Sequence, residues 1–371
     1  MDNGATTMVD PRVVEAMLPY YSGVYGNPSS LHSCGQAAQE SIENARARIA
    51  SFIGAKPREI IFTSSGTEAN NLAVKGVAFA NRNRGNHIIV SSIEHDCILN
   101  SCRWLERQGF EVTYLPVDRY GLVHPESVEA ALRKDTVLVS VMHANNEIGT
   151  IEPIRAIGNL CREHGVYFHT ARVSPMVKYR WNVDGQSLDM VTINAHKIYG
   201  PKGVGALYVR DGTDIEPWEH GGGQEHGLRS ATENVPAIMG FSKASELCFE
   251  TLEPEARRLL RMRDRLIDGT LDAMDFAYLN GHRVKRLPNN ANFGFAGFEG
   301  DAIRLLLKLD EAGIAVSTGS ACSSNSAGSS PRPQRHRIRP AAGERLAPGH
   351  PGPFQYRGRS PIPDGNAAVS R

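Results

Sequence analysis

Apolar residues along this chain fall into two rhythms. Residues 36–53, QAAQESIENARARIASFI, repeat them at the helical period, so Ile42, Ala45, Ile49 and Phe52 share one face and Gly54 offers a natural stop. Beyond it come short, continuously apolar runs, each followed by a helical stretch: EIIFT then TEANNLAVKGVAFA, HIIVSS then CILNSCRWLERQG, TVLVSVM then PIRAIGNLCREHG. Three more runs, VYFHT, DMVTIN and GALYVR, complete the series. Strands buried on both faces read this way, without polar alternation. Strand and helix alternating over roughly residues 58–210 therefore predict an α/β fold, a largely parallel sheet between helix layers. Ligands of such sheets sit at the carboxyl ends of the strands, so the segments that follow each run are where chemistry is expected.

From about residue 240 the rhythm changes. SKASELCFETLEPEARRLLRMRDRLIDGTLDAM reads as long helix, NNANFGF as a strand and GDAIRLLLKLDEAG as another helix, a second α+β unit. Residues 325–371 differ again, with eight Pro, eight Arg, no Lys and hardly any apolar periodicity, and they do not read as core-forming. The expected organisation is a large domain over residues 11–240, a smaller one from 1–10 and 241–324, and a tail over 325–371 that is disordered or the product of a frame slip.

A length of 371 residues suits one large domain with a smaller one packed on it. The formal net charge of +1 gives no global field to gather nucleic acid or an anionic membrane, so a small-molecule substrate is expected. The start, MDNGATTMVDPRVVEAM, lacks the layout of a secretory signal, and no run approaches the ~18 apolar residues of a membrane span; a cytoplasmic protein is expected. The six cysteines, at 34, 97, 102, 161, 248 and 322, form no CxxC pair and no zinc spacing, and are expected to be free thiols with no metal.

Five segments carry candidate chemistry. SSGTEANN (64–71) follows a strand and opens a helix; free amides there bind phosphate and Gly66 lets the backbone approach, although an ordinary capped turn uses the same residues. NAHKIYGPKG (194–203) puts Lys197 just after a buried strand, where a partly desolvated amine can form a Schiff base; Lys202, five residues on, is the control. His95, in SSIEHDC, closes another strand and can stack on a flat ligand or move a proton, or serve only structure. HANNEIG (143–149) ends a further strand, with Asn146 as a donor to a ligand or as part of a two-asparagine turn. STGSACSSNS (317–326) sets Cys322 among small hydrophilic residues, an accessible thiol on a mobile loop.

In chain order DNGATTMVDPRV, GNPSSLH, FTSSGTEANN, SSIEH, NNEIGT, AHKIYGPKGVGALYVR, GGGQEHGLRSATENV and STGSACSS resemble the NifS/IscS-type cysteine desulfurases of the class V aminotransferase group. The resemblance runs from residue 2 to residue 324. It implies a homodimer of fold-type I with a seven-stranded, mostly parallel sheet sandwiched by helices, pyridoxal phosphate (PLP) as cofactor and L-cysteine as substrate. Lys197 would be the Schiff-base lysine. Gly66 and Thr67 would hold the phosphate with His196, and Thr232 would reach the phosphate of the neighbouring subunit. His95 would stack on the ring, Asn146 would touch its phenolic oxygen or the substrate, and Ser174 falls on the position of a family glutamine. Cys322 would take the sulfur as a persulfide, releasing L-alanine, and pass it to an iron–sulfur scaffold or a tRNA-thiolation protein. Cys322 is also a possible ligand of a shared iron–sulfur cluster.

Two departures from the family pattern stand out. The family strand ends in His-x-Asp-Ala-x-Gln, whose aspartate pairs with the protonated pyridine nitrogen, whereas this chain reads FHTARVS; counting from Asn146 to Lys197 puts Ala171 on the aspartate and Ser174 on the glutamine. Loss of that carboxylate predicts severely reduced turnover, and an inward-pointing Arg172 would oppose ring protonation further. After Ser324 the chain lacks the strand whose arginine grips the substrate carboxylate in the family. Out of frame, codons for FQYRGRSPIPDGN can be regrouped to read Asn-Thr-Glu-Glu-Glu-Val-Arg-Tyr-Leu-Met, an ending typical of such enzymes. Two alternatives accompany this reading: an impaired homologue acting as scaffold or sulfur relay, and a selenocysteine lyase or other class V aminotransferase.

Overall fold

The computed structural model describes residues 2–171, 182–298 and 301–319, together with the backbone of residues 354–356. Helices α1 (Pro11–Met17), α2 (Pro19–Ser22) and α3 (Ser33–Ile53) lead into the alternating part. This comprises β1 (Ile60–Thr63), α4 (Gly66–Ala80), β2 (His87–Ser91), α5 (Asp96–Glu106), β3 (Glu111–Leu115), α6 (Pro125–Ala131), β4 (Thr136–Ser140), α7 (Ile154–Glu163) and β5 (Tyr167–Ala171). Strands β6 (Met190–Asn194) and β7 (Gly205–Val209) complete the sheet, and α8 (Val235–Ala273), β8 (Ala277–Leu279), β9 (Ala291–Phe295), α9 (Ala302–Glu311) and β10 (Phe354–Tyr356) follow.

The large sheet has seven strands in the order β1-β7-β6-β5-β4-β2-β3. Neighbours from β6 to β3 are parallel, while β7 runs antiparallel to both β6 and β1. Continuous apolar runs became strands because helices cover both faces. One core joins Ile42, Ile49 and Ile53 of α3 to Ile157, Phe168 and Phe241, and the other joins Leu72 and Val77 of α4 to Ile98 and Leu105 of α5. Each such side chain contributes about 1.5–3 kcal/mol by leaving water. Strand β3 is not among the runs read from the sequence. It lies at the sheet edge with only Leu115 fully buried, so EVTYL carries polar residues that a central strand would not.

Helix α3 shows the periodic face as expected: Ile42, Ala45, Ile49 and Phe52 are all buried, and Gly54 ends the helix at φ 70°. The polar Arg46 on that helix is also buried, in a fork against Glu225 (2.7 and 2.8 Å), and donates to the Ile60 carbonyl (2.6 Å). Glu225 accepts Phe62 N–H as well (2.7 Å), so one ion pair ties α3, β1 and the GGGQEHG loop together.

Residue 240, the expected domain boundary, lies inside α8. Behind it β8, β9 and β10 form a small antiparallel sheet with β9 in the middle, and Ile267 of α8 packs on Ala291 and Phe293. Residues 354–356 of the tail pair with β9. An open strand edge takes its hydrogen bonds from backbone, whatever the side chains, which composition does not register.

Candidate active site

Strand β6 delivers Lys197. After Asn194 the chain makes a short 3-10 turn, Ala195–Lys197, and this turn is clamped by the N-terminal segment. Thr7 donates to the His196 carbonyl from both N–H (3.1 Å) and Oγ1 (2.8 Å), and Thr7 Oγ1 accepts Tyr199 N–H (2.8 Å). Tyr199 has φ 63°, a conformation costly for a bulky residue and held here by its neighbours. Lys197 is half-buried, and its Nζ donates to the carbonyls of Gly4 (2.5 Å) and Ala5 (3.0 Å). Lys202, by contrast, is exposed.

The SSGTEANN turn packs beside it. Ser65 caps α4 by accepting Glu68 N–H (3.1 Å), and buried Gly66 opens the helix. A Cβ on Gly66 would stand 3.0 Å from Asn194 Nδ2, and one on Gly205 would stand 2.9 Å from the Ile193 carbonyl and 3.0 Å from the Ser65 carbonyl carbon. The start of α4 therefore presses against the end of β6, three residues before Lys197. Burial works against the charge of Glu68, but Arg229 (2.8 Å) and Ser64 hold its carboxyl below the ordinary range. Thr67 is exposed on the first turn.

His95 caps α5, its Nδ1 accepting Cys97 N–H (3.1 Å). Burial pushes its pKa down, and the Lys197 charge adds to this while Asp96 opposes it. His196 is pushed down to about 4, by burial first and then by Lys197 and Lys202, and its Nδ1 meets Thr6 Oγ1 at 3.1 Å. Both imidazoles are neutral at pH 7. In the HANNEIG segment Asn145 builds the turn: its Oδ1 accepts Glu147 N–H (2.8 Å) and Ile148 N–H (2.9 Å), and its Nδ2 reaches the Ile93 carbonyl (3.0 Å). Asn146 stands beside it, half-buried.

Ala171 ends β5, buried, paired with Thr192 and accepting His143 N–H at its carbonyl (3.1 Å). Arg172, Ser174 and Cys322 lie outside the described residues. The stem of the cysteine segment is described as far as Gly319, and Ser317 hydrogen-bonds the carboxylate of Asp2, two residues before the Gly4 carbonyl that holds Lys197. Thr232 is exposed and follows Ala231 at φ 89°. It lines a cavity of about 110 Å³ with Ser64 and Arg229.

The residues present fit pyridoxal phosphate at two ends. A partly desolvated amine suits its aldehyde, and the capped amino end of α4, with no room for a Cβ at Gly205, suits its phosphate. Position 171, which the resemblance sets against the ring nitrogen, offers a buried methyl group and no carboxylate. The sequence reading missed the support supplied by Gly4, Ala5, Thr6 and Thr7. DNGATT is visible as a motif, but nothing in its spacing says that it folds back onto Lys197.

Residues 1–338 match the family described as aminotransferase class-V. The chain is 53% identical over 326 residues to the cysteine desulfurase IscS of Dictyoglomus turgidum, a match covering 88% of this chain and 82% of that protein. This chain belongs to the class-V aminotransferases, in the NifS/IscS group of cysteine desulfurases. It is 51% identical to the cysteine desulfurase IscS of Methanosarcina thermophila over 88% of this chain and 80% of that one. Among solved structures, a NifS-like protein superposes with a TM-score of 0.84 at 35% identity, over 96% of this chain and 92% of the other. SspA in complex with cysteine superposes at 0.76 with 39% identity, over 88% and 90%. The fold-type I architecture expected of this PLP-dependent group is the one observed. Among the described residues no helix is long and apolar enough to cross a membrane, and no cluster of His, Cys, Asp and Glu could hold a metal.

Proposed function

We propose that this desulfurase-family chain takes sulfur from L-cysteine with pyridoxal phosphate held on Lys197, at a rate strongly reduced by Ala171. The observation that carries this reading is the convergence of Lys197, the start of α4 and a neutral His95 at the carboxyl ends of β1, β2 and β6. The cofactor, when bound, supplies an aldehyde that condenses with amines and a ring that withdraws electrons from the substrate α-carbon.

The chain's own residues do the rest. Gly66, Thr67 and His196 would hold the phosphate, and Thr232 would reach that of the neighbouring subunit in a homodimer. Neutral His95 would lie against the ring and take or return a proton, and Asn146 would donate to the phenolic oxygen or the substrate. Cys322 attacks the substrate sulfur: an S–S bond forms, the substrate C–S bond breaks, and alanine leaves with a hydrogen where sulfur was. The thiol of Cys322 becomes a persulfide, and an iron–sulfur scaffold or a tRNA-thiolation protein accepts the sulfur in the cytoplasm. The tie between Ser317 and Asp2 supports this, because it anchors the stem of the Cys322 segment to the strand of chain that holds Lys197.

A second reading, an impaired homologue acting as scaffold or sulfur relay, draws its support from Ala171. Borohydride reduction of the PLP-loaded protein, followed by peptide mass mapping, tests whether Lys197 holds the cofactor, and alanine release from L-cysteine separates the two readings. The cofactor fixed to Lys197 and not to Lys202 is the expected result; label elsewhere, or none, overturns the enzymatic reading.

A further inference from the structure

A thiol that the proposed reaction does not use sits inside the site. Cys97, on the first turn of α5, has its Sγ 3.0 Å from His95 Nδ1 and 3.1 Å from Asn70 Nδ2 on α4, and it also hydrogen-bonds Thr67. The Asn70 amide nitrogen can only donate, so the sulfur accepts there. Burial raises the thiol pKa to about 11, so sulfur keeps its hydrogen at neutral pH. Nδ1 accepts the Cys97 N–H at 3.1 Å, and at 3.0 Å the thiol is placed to donate its hydrogen to the same nitrogen. A ring nitrogen that accepts the backbone N–H carries no proton of its own, so the single proton of the neutral imidazole sits on Nε2.

We propose that Cys97 is a positioning residue: with Asn70 it forms a relay, Asn70 to Cys97 to His95, that fixes His95 as the Nε2–H tautomer and links the phosphate turn to the imidazole. The relay joins the amino-terminal ends of two helices. Thr67 and Asn70 belong to α4, His95 and Cys97 to the entry of α5, so a shift of α4 on ligand binding is felt at the ring. Its catalytic weight rests on the reading of His95 as the ring-facing imidazole, but its existence does not.

A donor to Nδ1 stabilises the neutral ring, so its removal must raise the His95 pKa, while the other charges facing His95, Asp96 and Lys197, stay in place. Histidine C2-hydrogen exchange, read by peptide mass spectrometry on the full-length protein with and without PLP, gives the pKa of His95 alone. The expected result is a wild-type value below 6.5, a rise of roughly half to one unit in Cys97→Ala, as one neutral hydrogen bond would give, and little change in Cys97→Ser, which keeps a donor. A wild-type value at or above 6.5 overturns the proposal whatever the variants do. So does an unmoved Cys97→Ala, or a Cys97→Ser that moves as far as Cys97→Ala. Loss of PLP labelling at Lys197 would sink the enzymatic reading and leave this measurement standing.

Discussion

Replacing Ala171 with aspartate puts a carboxylate where the family has one. Ala171 is 5% exposed, its carbonyl is fixed by His143 N–H, and its strand is paired to β6 through Thr192, so the backbone cannot swing away. In protein without cofactor the new carboxylate is buried, and adding three heavy atoms to a packed site costs about 1–3 kcal/mol, so Ala171→Asp lowers the melting temperature. On the proposed reading, with PLP bound, the carboxylate would meet the ring nitrogen and favour its protonated form. A charge-assisted hydrogen bond is worth about 1.5–3 kcal/mol, and about 1.4 kcal/mol is tenfold in rate, so alanine formation should rise roughly 10- to 150-fold. The assay is alanine released from L-cysteine by wild type and variant, each saturated with PLP, with melting curves taken with and without cofactor. PLP should stabilise Ala171→Asp more than it stabilises the wild type. A variant that folds and holds PLP but gains less than about threefold in rate would refute the claim that the missing carboxylate limits turnover.

Gly205→Ala should push the turn at Ser64–Gly66 off β7, because its Cβ would meet backbone at 2.9–3.2 Å; PLP affinity measured by absorbance titration falls while the far-ultraviolet circular dichroism is kept. Glu225→Gln leaves Arg46 charged and buried, and removing one partner of such a pair costs about 3–5 kcal/mol, to be read as a lower urea midpoint. His169 and His196 are pushed down to about 3 and about 4 from 6.5, so the unfolded chain binds more protons below 6.5 and stability should fall as pH drops from there toward 4. Glu94 and Glu152, buried and raised from 4.5 to about 8, act in the opposite sense: their contribution is whole below 4.5 and is lost as pH rises toward 8. Glu152→Gln should therefore flatten the decline on the alkaline side, measured as urea midpoints between pH 5 and pH 9.

The fold was legible where burial is two-sided. EIIFT, HIIVSS, TVLVSVM, VYFHT, DMVTIN and GALYVR all became strands, since a strand covered by helices on both faces has no polar side to disguise it. EVTYL was not legible, because an edge strand is half solvated. Lys197 and the start of α4 were legible as residues after strands, and the parallel sheet brings such positions together. The N-terminal clamp was not, because the carbonyls of Gly4 and Ala5 act through backbone, which carries no residue-type signal. Cys97 was invisible for another reason: a lone thiol acquires meaning only when Asn70 and His95 are known to face it.

The most direct measurement is the alanine released over a long incubation of the PLP-loaded protein with L-cysteine, set beside Lys197→Ala and Cys322→Ala. Slow alanine formation that disappears in Lys197→Ala is the expected result, with a persulfide detectable on Cys322 in the wild type. Alanine formed as fast by Lys197→Ala as by the wild type would contradict the assignment of the site itself.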